Sequence, residues 1–240
     1  MTKCAVMALS GGMDSTGLLM HLLADGHQVH ALSYDYGQKH SLELDRAKAN
    51  INYLKSKGIT VSHRIVDLRS AMSVFHSALL DDSMDIPEGH YEEEQMKQTV
   101  VPNRNAIFSS VLYGYALSIA LKQDTEVKIA LGVHSGDHEI YPDCRPEFIA
   151  SFAETARLGT KQGVEGRPFT IHAPLQFMTK ADIARECHRL GLDPAWSWSC
   201  YDPAPEGIAC GVCDSCRLRR KGFAEAGLTD TTPYKQDMTG

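Results

Sequence analysis

Short hydrophobic runs rich in β-branched residues alternate along the chain with amphipathic stretches. Runs of apolar residues bounded by turn residues are typical of strands, and apolar residues spaced three or four apart are typical of helices. The first pattern predicts strands over residues 3–9, 28–34, 59–67, 127–133 and, more weakly, 170–173. The second predicts helices over residues 16–24, 42–57, 106–122, 146–158 and 214–226, and another that begins at residues 179–182.

This alternation predicts the α/β fold class, with a parallel sheet of about five strands and helices on both faces, because parallel neighbours are joined by helical crossovers. Ligands of such sheets bind beyond the carboxyl ends of the strands. Two segments interrupt the pattern: residues 69–102 are polar and longer than an ordinary connection, and residues 194–216 are rich in Pro, Gly, Cys and Trp.

The connection between the first strand and the first helix contains two adjacent glycines. Its residues are Leu9, Ser10, Gly11, Gly12, Met13, Asp14, Ser15 and Thr16. Glycines let the backbone approach a ligand closely, and the free N–H groups and positive dipole end of a helix favour an anion. The sequence therefore predicts a pyrophosphate site; the alternative is an ordinary turn with a helix cap.

The same loop lacks the lysine of a Walker motif and the spacing of the GxGxxG fingerprint. A Walker lysine reaches the β and γ phosphates of a nucleotide. A loop that grips pyrophosphate without this lysine suits the cleavage of ATP between the α and β phosphates. We therefore expect an activated intermediate that carries AMP.

Composition sets limits on partners and location. The 240 residues are 43% hydrophobic and 22% charged, with a formal net charge of -6. This acidic balance argues against a broad nucleic-acid surface, so we expect no nucleic-acid partner. The amino-terminal apolar run is too short for a signal peptide, and no stretch of about 18 apolar residues predicts a membrane span. We expect a cytoplasmic protein.

Four of the seven cysteines cluster near the carboxyl end, as Cys200, Cys210, Cys213 and Cys216. This C-x9-C-x2-C-x2-C spacing predicts a structural tetrahedral zinc site, in which sulfur fills every position. An iron–sulfur cluster is the competing metal site. We expect residues 1–193 to form a nucleotide-binding α/β domain, and residues 194–240 to form a small zinc segment with a closing helix.

Polar residues concentrate at three further places near predicted strand ends and helix starts. We expect those after the second strand, before the long helix and after the fourth strand to bind substrate: Tyr36, Gln38, Lys39 and His40; Arg104 and Asn105; and His134, Asp137, Tyr141, Asp143 and Arg145. The aspartates suit ring N–H groups, and the arginines suit carboxylate or phosphate. Cys144 is expected to pack. Lys180, at a helix start, is expected to face nucleotide phosphates.

Taken in order, these motifs resemble the 7-cyano-7-deazaguanine synthase family of the PP-loop ATP pyrophosphatase superfamily. They span nearly the whole chain: residues 10–16, 36–40, 101–105, 132–134, 141–145, 179–181 and the four-cysteine tail. The resemblance implies an adenine-nucleotide α-hydrolase-like fold. It also implies an ATP-dependent ligase that converts 7-carboxy-7-deazaguanine and ammonia to the 7-nitrile in queuosine biosynthesis.

The resemblance further implies structural zinc, ATP with Mg²⁺, and a homodimer. We expect Asp14, Ser15 and Lys180 to be catalytic. Residues 138–140 (His-Glu-Ile) are bulkier and more charged than the small residues typical of the family at this place, which leaves the amine acceptor open. A relative that stops at the amide or uses another amine, a PP-loop tRNA-modifying enzyme, and a non-catalytic nucleotide-binding module are the alternatives.

Overall fold

The computed structural model describes residues 3–39, 42–81, 83–84, 98–135, 141–165, 171–193, 196–204 and 207–235. Within these residues five strands form one parallel sheet in the order β3-β2-β1-β4-β5. The strands are β1 (Cys4–Ala8), β2 (Gln28–Asp35), β3 (Ser62–Asp67), β4 (Val127–Ala130) and β5 (Ile171–His172). The central strand β1 pairs with β2 on one side and with β4 on the other. The predicted parallel α/β fold is confirmed.

Helices follow the strands as expected. They are α1 (Met13–Ala24), α2 (Leu42–Ser56), α3 (Arg69–Met72), α4 (Arg104–Gln123), α5 (Pro146–Leu158), α6 (Lys161–Val164), α7 (Lys180–Arg189) and α8 (Asp214–Ala226). A 3-10 turn covers Pro142–Cys144. The one-turn elements α3, α6 and the 3-10 turn were not predicted, because they are too short to show a hydrophobic period.

Two helices and one strand differ from the prediction at the site. Helix α1 begins at Met13 instead of residue 16, after an extended Gly12, so the second half of the glycine loop is its first turn. Helix α4 begins at Arg104 instead of residue 106. Strand β4 ends at Ala130 instead of residue 133. Beyond it, Gly132 lies next to the first turn of α1, and a Cβ on Gly132 would be in contact with the backbone of Ser15 at 3.7 Å.

Helices cover both faces of the sheet because buried side chains alternate along its central strand. Ala5 and Met7 of β1 pack into one apolar cluster, which also contains residues of α1, α2, α7 and α8. Cys4 and Val6 pack into a second cluster on the other face, which contains residues of α4. Because only four residues join the end of β1 to Met13, the amino end of α1 lies at the carboxyl edge of the sheet.

The carboxyl-terminal segment packs against the rest of the chain. Phe223 of α8 belongs to the same core cluster as β1 and α1. A Cβ on Gly222 would lie 2.9 Å from the side chain of Lys180, so glycine lets α8 approach the start of α7. The division of the chain at residue 193 stays a prediction. No helix within the described ranges combines the length and apolar character needed to cross a membrane.

Candidate active site

The glycine loop joins β1 to α1 at the carboxyl edge of the sheet. Gly11 has a φ of +86°, and a Cβ there would lie 2.4 Å from the carbonyl oxygen of Glu43. Both the positive φ and the close backbone approach therefore require glycine. The Ser10 and Ser15 hydroxyl oxygens lie 3.0 Å apart, and the Gly12 N–H donates to Ser10 Oγ over 3.2 Å. Hydrogen bonds of these two hydroxyls thus brace the loop at the helix start.

A lysine and a histidine from other loops meet the first turn of α1. Lys180 Nζ donates to Asp14 Oδ1 over 2.8 Å and to Asp14 Oδ2 over 2.7 Å. His134 Nε2 lies 3.0 Å from the same ammonium. Thr179 caps α7 by accepting from the Asp182 N–H, and it fixes the backbone from which Lys180 extends. The structure therefore brings together three predicted site residues from distant parts of the sequence.

The charges of this cluster outweigh the effect of burial on Asp14. Burial raises the pKa of the Asp14 carboxyl. The charges of Lys180 and His134 and the hydrogen bond from Lys180 lower this pKa by more than burial raises it, so the pKa lies below its usual value. Asp14 is therefore ionised at neutral pH. The result is a carboxylate–ammonium pair beside the free amides of a helix start.

A second group of predicted residues lies around the start of α4. Arg104 is its first residue, after Asn103 in the left-handed conformation, and its side chain hydrogen-bonds with that of Tyr36. The Asn105 N–H donates to Asp143 Oδ2 over 3.3 Å, and Asn105 Nδ2 donates to Cys144 Sγ over 3.1 Å. The 3-10 turn is thereby held against α4, and Cys144 is buried, as expected for packing.

The loop after β2 is braced by its own side chains. Gln38 Oε1 accepts from the Tyr36 N–H over 2.9 Å, and Gln38 Nε2 donates to the Tyr34 carbonyl over 3.2 Å. Lys39 Nζ donates to the Met84 carbonyl. Gln38 therefore stabilises the loop that presents Tyr36, in addition to any contact with a ligand.

These two groups and the glycine loop surround one cavity of about 320 Å³. Most predicted site residues line it: Leu9, Ser10, Gly12, Met13, Asp14, Ser15, Tyr36, Gln38, Lys39, Arg104, Asn105, Tyr141, Asp143 and Lys180. A volume of this size suits a small-molecule ligand. The cavity is the candidate active site.

Four predicted residues in the described part of the chain stand apart from this lining. Gly11 lies behind the loop against α2, and His134 is buried beside Lys180. The Thr16 hydroxyl accepts from Asn50 Nδ2 over 3.3 Å in the interior, and Arg145 is exposed. The remaining two predictions, His40 and Asp137, lie outside the described residues.

Several residues that line the cavity were not predicted from the sequence. Glu43 of α2, Phe108 of α4, and Trp198 and Tyr201 of the carboxyl-terminal segment are among them. The Trp198 N–H donates to the Gly11 carbonyl over 2.9 Å, which ties that segment to the glycine loop. Each comes from an element whose local pattern indicates packing or solvent exposure, so only the tertiary structure reveals its position.

The four clustered cysteines are brought together as predicted. The Sγ atoms of Cys200, Cys210, Cys213 and Cys216 all lie within 4.8 Å of one another and are buried, so they can hold a metal ion. Cys200 Sγ accepts from the Cys210 N–H over 3.2 Å, and Cys210 Sγ accepts from the Cys213 N–H over 3.3 Å. Such bonds stabilise thiolates. A buried set of four sulfur ligands fits a soft or borderline metal with no open position.

The fold and cavity define a parallel α/β protein with a glycine-pair loop at the carboxyl edge of its sheet and a cluster of four cysteines. The sequence model of the family described as "Queuosine biosynthesis protein QueC" matches residues 4–227. The chain belongs to this family of enzymes, and the predicted family is confirmed.

Two named relatives are similar in sequence to this chain over almost the whole length of both proteins. A 7-cyano-7-deazaguanine synthase from Erythrobacter litoralis is 48% identical over 236 residues, which cover 98% of this chain and 94% of the relative. One from Geotalea daltonii is 47% identical over 235 residues, which cover 98% and 97%. Among solved structures, an NMN synthetase from Francisella tularensis matches with a TM-score of 0.46 and 14% identity over 95% of this chain and 79% of that one. A likeness this remote carries no argument about function.

Proposed function

We propose that the protein converts 7-carboxy-7-deazaguanine and ammonia to 7-cyano-7-deazaguanine, with two molecules of ATP cleaved to AMP and diphosphate. The names of its relatives support the substrate and product. The observation that carries the proposal is the shared cavity, which the glycine loop and Lys180 line together with Arg104 and Tyr36. The glycine loop and Lys180 suit phosphates, and the polar side chains around Arg104 suit a polar ring.

The first step activates the acid. A carboxylate is a poor electrophile, so one of its oxygens attacks the α phosphorus of ATP and diphosphate leaves. Negative charge then grows on the departing diphosphate. The N–H groups of the first turn of α1 and the Lys180 ammonium would be donors for this charge, and donors that are already held in place need little reorganisation during the reaction.

The second half of the reaction forms the carbon–nitrogen bond of an amide and then converts this amide to the nitrile. Ammonia attacks the acyl carbon and expels AMP, and loss of a proton leaves the amide. The amide oxygen then attacks a second ATP in the same way. Loss of AMP and a proton from this imidate gives the nitrile, so one phosphate site serves both activations.

Arg104 is positioned to bind the carboxylate as a fork, and the ring would meet the polar side chains around it. Those lining the cavity are Tyr36, Lys39, Asn105, Tyr141 and Asp143. His134 would hold the Lys180 ammonium in place from behind. Roles for Thr16, His40, Asp137 and Arg145 stay predictions.

Two metals belong to the proposal. Mg²⁺ bound with ATP would supply positive charge to the leaving diphosphate. The four cysteines would hold zinc as a structural ion, because four thiolates leave no position for water or substrate. The family resemblance also supports a cytoplasmic homodimer, which analytical ultracentrifugation of the purified chain would test.

The test is incubation with ATP, Mg²⁺, ammonium and 7-carboxy-7-deazaguanine, followed by mass spectrometry. We expect the nitrile with two AMP per product. An amide end product would support a relative that stops halfway, and a different conjugate would identify another amine. AMP formed only when tRNA is added would support a tRNA-modifying enzyme. Binding without turnover would contradict an enzyme of this reaction.

A further inference from the structure

Glu43 is a cavity carboxyl that the mechanism above does not use. It is the second residue of α2, and its side chain lines the cavity together with Tyr36, Arg104 and Tyr201. Within the described ranges, no side chain or backbone group donates a hydrogen bond to its carboxyl, and no cation forms an ion pair with it. Among the described residues, its two acceptor oxygens therefore have no hydrogen-bond donor.

A partnerless carboxyl in such a place is costly. Burial raises the pKa of Glu43 to about 7, although the charge of Arg104 acts in the opposite direction. Removing a carboxylate from water without compensating donors costs free energy in the empty site. A ligand that supplies N–H donors would remove this cost and gain charge-assisted hydrogen bonds.

The walls next to Glu43 suit a flat ring. The Phe108 ring stacks on Tyr34 with centroids 4.1 Å apart and meets Tyr36 edge-on at 5.4 Å. Tyr36 and Phe108 line the cavity, so they offer aromatic surface beside the carboxyl. A guanine-type ring carries two parallel donors on one edge, the N1–H and the 2-amino group, and a carboxylate can accept from both.

We infer that Glu43 is a specificity-determining residue whose carboxylate accepts hydrogen bonds from the N1–H and 2-amino group of the deazaguanine ring. This inference rests on the proposed function. The N1–H and the 2-amino group distinguish this substrate from other bicyclic acids. A site with a buried acceptor rejects an analogue that lacks the matching donor, because the acceptor is then left unpaired.

The test compares binding of 7-carboxy-7-deazaguanine with binding of its analogue without the 2-amino group, by calorimetry in the absence of ATP. We expect the wild type to bind the analogue roughly 10- to 100-fold more weakly, the factor expected for one hydrogen bond to a charged group. Glu43→Gln should lower affinity for the true substrate and reduce the discrimination to about threefold or less. The amide can accept from N1–H but opposes a second donor with its own N–H.

Asp45→Asn is the matched control. It removes one carboxylate from the same helix, but Asp45 is exposed and pairs with Lys48 at 3.1 Å. It should keep the full discrimination. Thermal melting and metal content of both variants should match the wild type, which separates a local effect from misfolding.

The pH dependence of binding is a second readout that a structural role would not change. Affinity of the wild type for the deazaguanine should fall as the pH drops through about 7, because protonated Glu43 loses one acceptor; the Gln variant should lack this step. The other titratable or charged residues that line this cavity are Asp14, Tyr34, Tyr36, Lys39, Arg104, Tyr141, Asp143, Cys144, Lys180, Cys200 and Tyr201. Burial raises the pKa of Tyr36 above its usual value near 10, so it stays neutral in this range.

The outcomes separate this inference from the proposed function. Equal wild-type affinity for both ligands, or unchanged discrimination in Glu43→Gln, would overturn the inference even if the nitrile forms. Discriminating binding that depends on Glu43, without AMP formation, would leave the inference standing and overturn the proposed reaction. An increase only in the KM for ammonium would instead assign Glu43 to ammonium binding, and would also overturn the inference.

Discussion

Lys180 donates to both carboxylate oxygens of Asp14, over 2.8 and 2.7 Å, although the two residues lie 166 positions apart in the sequence. The pair joins the start of α7 to the first turn of α1, beside the glycine loop. Asp14 therefore fixes the Lys180 ammonium at the edge of the proposed phosphate site. This contact supports the proposed role of a lysine that lies outside any Walker motif.

Lys180→Met should keep the fold and lose AMP formation. Methionine retains much of the packing volume near Gly222 but removes the positive charge, and losing one preorganised charge-stabilising donor typically lowers kcat by about 10²- to 10³-fold. Lys221→Met removes an exposed lysine from the neighbouring helix and should have no effect. Diphosphate release measures both. Unchanged turnover in Lys180→Met would remove this residue from the mechanism.

Gly11→Ala should damage the loop more than Gly26→Ala damages its own turn. Both glycines have positive φ, +86° and +76°, so both variants incur backbone strain of about 1 to 2 kcal/mol. Only at Gly11 would the new Cβ also collide with backbone, 2.4 Å from the Glu43 carbonyl oxygen, whereas nothing lies within 4 Å at Gly26. Urea unfolding should show a larger loss of stability for Gly11→Ala than for Gly26→Ala. ATP titration should show weaker binding for Gly11→Ala and unchanged binding for Gly26→Ala. Equal effects of the two variants would contradict this account of the loop.

Arg219→Met should destabilise the carboxyl-terminal segment. Arg219 Nε donates to Asp230 Oδ2 over 2.9 Å and Nη1 donates to Ser197 Oγ over 2.9 Å, and the arginine side chain is 1% exposed. Removing one partner of a buried pair leaves the other charge unpaired, which costs about 3 to 5 kcal/mol of unfolding free energy.

The double variant Arg219→Met with Asp230→Asn should recover part of this loss, because no buried charge is then left alone. Arg157→Met is the matched control, since it breaks an exposed pair with Glu154 and should cause no measurable change. Chemical denaturation of the four proteins provides the comparison. If Arg219→Met were as stable as the wild type, the buried pair would contribute nothing to the free energy of unfolding.

Cys213→Ser should lower both metal content and thermal stability. It removes one of four clustered sulfur ligands, and metal binding contributes folding free energy in such sites. Chelation should also weaken ATP binding, because the Trp198 N–H of this segment holds the Gly11 carbonyl. Elemental analysis and melting curves measure the first effect, with Cys4→Ala, in the sheet, as the control that keeps its metal. Full metal content and normal melting of Cys213→Ser would refute a structural metal.

Local patterns predicted the sheet and much of the cavity lining. The carboxyl ends of parallel strands share one edge, so the loops that contain Asp14 and Tyr36 could be placed together from sequence. Thr16 was predicted to bind ATP but does not line the cavity. Helix α1 begins at Met13, three residues earlier than predicted, and the side chain at position 16 then points to the interior. Glu43 was missed because a glutamate in the first turn of an amphipathic helix is typical of a solvent-exposed position.

The most direct test of the central claim follows the oxygen atoms of the acid. 7-Carboxy-7-deazaguanine labelled with oxygen-18 in both carboxylate positions is converted with ATP and ammonium, and the nucleotides are analysed by mass spectrometry. Adenylation of the acid and then of the amide should place one labelled oxygen on each AMP, with unlabelled diphosphate. Unlabelled AMP, or release of ADP and labelled orthophosphate, would contradict activation at this glycine loop.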